Sequence, residues 1–136
     1  MKPRHRAEPK WITEEILAIV HAQQIERYGG AHGILDENAV LGALNRAINR
    51  WSYDEKATLP DLAAVYLTSF AGSQGFTDGN KRTGLACALV FLGLNDLSLE
   101  VDRDDLYELT LRVATHQIKD AKLAEWFRKT VEAARG

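Results

Sequence analysis

At 136 residues, 46% apolar and 26% charged, the chain has the size for one domain with a real core and the balance of a soluble globular protein. A formal net charge of −2 argues against a general electrostatic grip on nucleic acid or an anionic membrane, so neither direct nucleic-acid binding nor a membrane role is expected. Cys87 is the single cysteine, which excludes an intrachain disulfide; it sits in an apolar run, reads as a core filler, and fits a reducing cytoplasm.

The start, Met1-Lys2-Pro3-Arg4-His5-Arg6, is basic with no apolar core behind it and is not expected to be a signal peptide. No run reaches membrane-spanning length. Residues 1–11 read as a flexible tail before a domain over 12–136. Thr13 is a good N-cap for a first helix that carries Glu14 and Glu15 in its first turn and stops at Gly29-Gly30. Leu17, Val20, His21, Ile25 and Tyr28 form its apolar stripe. A second helix starts after Asp36, with Leu41, Leu44, Ile48 and Trp51 on one face. Trp51-Ser52-Tyr53-Asp54-Glu55-Lys56 reads as a helix connection with its aromatics in the core, or as a flap over a site. Pro60-Asp61 opens a third helix with Leu62, Val65, Tyr66, Ser69 and Phe70 inward, ending near Gly72.

Next comes the most informative stretch, Gln74-Gly75-Phe76-Thr77-Asp78-Gly79-Asn80-Lys81-Arg82-Thr83-Gly84, which opens into an apolar helix from about Asn80 to Leu94. That helix is apolar on nearly every face, which marks it as central. Leu99-Glu100-Val101 is expected to be briefly extended. Asp102 caps a fifth helix with Leu106, Leu109 and Val113, and Asp120 opens a last one with Leu123, Trp126, Phe127 and Val131. No hairpin chemistry is visible. The pattern predicts an all-α, single-domain bundle of about six helices, with a buried central helix following the loop.

The loop has its own chemistry. Free N–H groups and the dipole at a helix N-terminus attract anions, and Lys81 and Arg82 add full charge there. Cations in a first turn oppose the dipole and call for an anion. Asp78 repels a bare phosphate, so a shared cation, most simply Mg²⁺, is implied. Gly79 allows a close backbone approach, Asn80 can donate an amide hydrogen bond, and Arg82 offers a planar fork. Phe76 is read as the loop's anchor in the core, and Thr83 as a plain first-turn residue. The bland alternative is that Asp78 and Asn80 are ordinary N-cap residues with solvated cations behind them. This is no Walker A loop, since Gly-x-x-x-x-Gly-Lys-Ser/Thr is absent and no strand precedes it. His21 reads as a hydrogen-bonded core histidine, His32 as surface, His116 as a helix-end residue and His5 as part of the tail.

The loop resembles the signature of the Fic/Doc superfamily, His-x-Phe-x-[Asp/Glu]-Gly-Asn-[Gly/Lys]-Arg, and its Lys-Arg-Thr ending looks like the Doc (death-on-curing) branch. Gln23-Gln24-Ile25-Glu26-Arg27-Tyr28-Gly29-Gly30, Gly33-Ile34-Leu35-Asp36 and Leu89-Val90-Phe91-Leu92-Gly93-Leu94-Asn95 extend the resemblance over about residues 12–130. It implies a Fic-like helical core. It implies Mg²⁺ held by Asp78 and nucleotide phosphates, from ATP or another nucleoside triphosphate, held by Gly79, Asn80, Lys81 and Arg82. One position departs: where the family carries its catalytic histidine stands Gln74. An amide is no general base near neutral pH.

Two functions follow. The first is a Doc-like toxin of a toxin–antitoxin pair, a cytoplasmic transferase that moves a phosphoryl (or nucleotidyl) group to a protein hydroxyl, the family's target being elongation factor Tu. Loss of the base would slow it. The second is a catalytically degenerate Fic domain that binds nucleotide or protein without turnover. Gln74 reads equally as natural divergence or as an introduced inactivating change, and Gly75 as a point where the loop could relax. The resemblance also implies an antitoxin whose disordered segment folds into a groove beside the first two helices, with Ile16, Ile19 and Val40 as spare apolar positions.

Overall fold

Four of the helices are opened by a side-chain cap. The structure, a computed structural model, describes residues 6–99 and 101–135. The Thr13 hydroxyl accepts from the Ile16 N–H and starts α1, Glu14–Tyr28. The Asp36 carboxylate accepts from Ala39 at the start of α2, Glu37–Tyr53. Thr58 and Asp61 form a reciprocal capping box, with Pro60 in the first turn, for α3, Leu59–Ala71. α4, Asn80–Leu94, begins on Gly79 with no side-chain cap. Asp102 caps α5, Arg103–Ala114, and α6 runs Asp120–Arg135. No strand occurs among the described residues; one isolated antiparallel bridge joins Ile34 to Phe76. Among the described residues, no helix is long and apolar enough to cross a membrane.

α3 runs through the middle, packed against α2, α4, α5 and α6, while α1 lies on α4. α4 is in the core, as its apolar sequence predicts, but α3 before the loop is the more enclosed of the two. Leu62, Ala63, Tyr66, Leu67 and Phe70 on α3 have no exposed surface. The two helices approach closely because Gly84 has no side chain: a Cβ there would lie 2.9 Å from the Leu67 carbonyl oxygen and 3.1 Å from Phe70 Cβ. Each fully buried large side chain at this contact contributes about 1.5–3 kcal/mol.

Several expectations are corrected. Residues 6–11 are not loose. The C-terminal carbonyls of α2 lack helical partners. Arg6 donates to one of them, Trp51 at 2.9 Å, and to the carbonyl of Asp54 just past the helix at 3.0 Å, with its guanidinium 4.5 Å from the Trp51 ring centre. Lys10 and Asn95 exchange two hydrogen bonds, and Trp11 stacks on Phe91 at 5.8 Å. Residues 1–5 lie outside the described residues. Tyr28, the last residue of α1, is 54% exposed rather than on its buried stripe. Trp51, Ser52 and Tyr53 are the last turn of α2, with Tyr53 exposed. The connection after them leads into the N-terminus of α3, whereas the glycine-rich loop leaves its C-terminus, about 20 Å away along a helix of 13 residues. It is no flap. Leu99 and Val101 have no regular structure, and Glu100 lies outside the described residues.

Cys87 has no exposed surface, and burial pushes its thiol up from 9.0 to about 12. The thiolate is the reactive form. The folded protein is therefore expected to resist iodoacetamide at pH 8 and to react fully once unfolded in guanidinium, measured by mass spectrometry over time. Rapid labelling of the native protein would contradict this packing.

Candidate functional site

The loop between α3 and α4 is stitched down by its own backbone. Gly75 is buried against α2: a Cβ there would meet Val40 Cγ2 at 2.6 Å and the Val40 backbone nitrogen at 2.9 Å, so only glycine fits without movement. Its carbonyl accepts from Leu35 at 2.7 Å and Asp36 at 2.9 Å, and its N–H donates to Ser73 Oγ at 3.0 Å. Thr77 donates to the Gly33 carbonyl at 3.1 Å. The loop therefore does not have the slack that glycine at 75 suggests in the sequence. Val40 is correspondingly a core residue, and it also lines the groove between α1 and the start of α2.

Phe76 is 4% exposed, with its ring 3.8 Å from that of His21 and nearly parallel to it. Asn80 differs from its sequence reading. Its Oδ1 accepts from the Phe76 N–H and its Nδ2 donates to the Phe76 carbonyl, both at 3.0 Å. The amide thus closes the loop into a ring, which engages one donor that the sequence reading assigns to phosphate.

Asp78 does not cap α4. Its Oδ2 accepts from the Ala31 N–H at 2.7 Å, and its Oδ1 makes no hydrogen bond among the described residues. Gly79, in the left-handed conformation at φ 83°, turns the chain into α4 in its place. The N–H groups of the first turn are therefore left without a side-chain acceptor, unlike those of α1, α2, α3 and α5. Lys81 is exposed. Arg82 donates through Nη2 to the Gly29 carbonyl at 3.0 Å and lies 5.4 Å over the Tyr28 ring. Neither cation has a carboxylate partner among the described residues. A side chain on Gly79 would come within 3.7 Å of Arg82 Nη2, and one on Gly30 within 3.0 Å of Asp78 Cβ. The acid, the uncapped turn and the guanidinium thus meet at the end of α1.

Gln74 is exposed and its side chain makes no hydrogen bond among the described residues. Thr83 is fully buried, with its hydroxyl unpaired and its N–H bonded to the Gly79 carbonyl. No group of three or more potential metal ligands occurs among the described residues. The donor set fits Mg²⁺ only jointly with phosphate, since Mg²⁺ commonly keeps its waters and takes one or two carboxylates plus phosphate oxygens.

Residues 11–92, from the N-terminal segment through most of α4, match the model of the Fic/DOC family. The chain belongs to the Fic/DOC family. It is 34% identical over 123 residues to protein kinase doc of Escherichia phage P1, covering 90% of this chain and 97% of that one. It is 35% identical over 82 residues to toxin Doc of Mycolicibacterium smegmatis, covering 57% and 60%. Both relatives place it on the Doc branch of the Fic/DOC family. The family match contains the whole loop and α1, whose part in the site sequence reasoning missed. His21 donates toward Asp78, and the backbone of Gly29 and Ala31 holds Arg82 and Asp78. The available signal is the Gly-Gly end of α1, which exposes backbone groups where a folded chain has use for them.

Proposed function

We propose that this chain is a Doc-type toxin of a toxin–antitoxin pair, acting in the cytoplasm. It transfers a phosphoryl group from a Mg²⁺-bound nucleoside triphosphate, such as ATP, to a hydroxyl of a protein such as elongation factor Tu, slowly because of Gln74. The observation that carries this reading is the uncapped first turn of α4 with two cations unpaired by carboxylates beside Asp78. Backbone N–H groups of that turn, Lys81 and Arg82 bind phosphate oxygens; Asp78 Oδ1 is the free oxygen for Mg²⁺. The metal ion neutralises phosphate charge when bound. The chain's own part is positioning and charge stabilisation, which dominate phosphoryl transfer. Position 74 supplies no proton acceptor for the attacking hydroxyl. That one observation favours a second reading, a degenerate module that holds nucleotide or protein without turnover.

In this reading the antitoxin segment docks in the groove of about 230 Å³ between α1 and the start of α2, lined by Leu17, Ala18, Ala22, Leu41 and Phe76 and bordered by Glu14 and Glu37. Ile19, 60% exposed, and the half-buried Ile16 lie on other faces of α1 and do not line this groove.

Calorimetry with ATP and Mg²⁺ tests the site. Binding is expected to need Mg²⁺ and to weaken in Arg82→Ala by about 1.5–3 kcal/mol, the scale of a charged hydrogen bond. Asp78→Ala is expected to remove the Mg²⁺ dependence. No binding in the presence of Mg²⁺, or none lost in Arg82→Ala, would refute the nucleotide site.

A further inference from the structure

One side chain of α1 touches the loop on both sides of the Asp78 carboxylate. His21 is 5% exposed and stacks on Phe76 at 3.8 Å with a 10° angle between the rings. Its Nε2 lies 2.8 Å from the Asp78 carbonyl oxygen, and its Cδ2 lies 3.7 Å from the place a Gly79 Cβ would occupy. A carbonyl can only accept, so Nε2 carries the proton. The carbonyl that it holds belongs to the peptide joining Asp78 to Gly79. That peptide is planar and trans, so fixing its C=O toward His21 aims the Gly79 N–H the opposite way. The same peptide sets Gly79 in its left-handed turn, from which the free N–H groups of α4 depart.

We infer that His21 is a positioning residue for the phosphate loop: its Nε2–H locks the Asp78–Gly79 peptide, and with it the direction of the metal-binding carboxylate and of the uncapped turn. This role rests on the nucleotide site proposed above. It is separable from packing, because the ring and the donor can be removed one at a time. His21→Phe keeps a ring against Phe76 and loses the N–H. His21→Gln loses the ring and keeps an amide donor near the position of Nε2.

The test compares both variants with the parent for Mg²⁺–ATP affinity, melting temperature and amide exchange at Thr77 and Thr83, and reads the His21 tautomer by ¹⁵N NMR in the parent. The proton is expected on Nε2. Affinity is expected to fall roughly tenfold in His21→Phe and less than about threefold in His21→Gln, the scale of one hydrogen bond. Thr77 and Thr83 should exchange faster in His21→Phe alone. A proton confined to Nδ1 overturns the inference. So do equal affinities in all three proteins, or losses in both variants that only track melting temperature. If the parent binds no Mg²⁺–ATP, the functional reading falls by itself and the exchange data decide for the His21 contact: faster exchange confined to His21→Phe sustains its lock on the Asp78–Gly79 peptide, and unchanged exchange ends it.

Discussion

Replacing Gln74 with histidine is expected to raise transfer from labelled nucleotide to a protein hydroxyl by at least about tenfold, within the roughly 10²–10⁴-fold range of general-base catalysis. The expectation rests on the neighbours of position 74. A misplacement of about 1 Å can cost about 10²-fold, so a restored base helps only if the backbone beneath it stays fixed. Gly75 is wedged against Val40 and bonded through both its N–H and its carbonyl, and Phe76 is buried and ringed by the Asn80 amide. The variant should also be more toxic to a bacterial host. Both proteins are assayed side by side with Mg²⁺ and candidate targets. Unchanged transfer and unchanged toxicity, with nucleotide still bound, would leave the binding module as the function.

Gly75→Ala is expected to cost about 2–5 kcal/mol of stability, the sum of an overpacking penalty and weakened hydrogen bonds to the Gly75 carbonyl. The added methyl would lie 2.9 Å from a backbone nitrogen of α2, which cannot turn aside as a side-chain tip can. Urea unfolding at constant slope measures the change. Gly42→Ala is the control. Gly42 is exposed inside α2, and a methyl added there would meet nothing within 4 Å, so alanine should stabilise by about 0.5–1 kcal/mol. A loss below about 0.5 kcal/mol in Gly75→Ala would mean that loop and helix yield together.

The helices were readable because their ends carry local chemistry. Thr13 and Asp102 each cap the helix they are expected to cap, α2 starts after Asp36 as expected, and α4 begins at Asn80 and ends at Leu94 as its apolar run suggests. What escaped is what depends on contacts distant in sequence. Nothing near Arg6 says that carbonyls some 45 residues on will hold it. Nothing near Asn80 distinguishes an amide facing a phosphate from one folded back on Phe76. His21 was legible as a buried, hydrogen-bonded histidine, but its acceptor is a loop carbonyl 57 residues away. In the site, residue types were legible from the motif, while the partners that aim them lie on the end of α1 and in the turn after it.

The freedom of Gln74 has an evolutionary side. Its neighbours are held by packing or hydrogen bonds, whereas its own side chain is exposed and unbonded. Substitution there leaves the folded state nearly untouched, so selection on folding is blind to it. Codons for glutamine and histidine differ in the third base alone. Under the function proposed above, one nucleotide change therefore separates a slow form from a base-carrying form on the same scaffold.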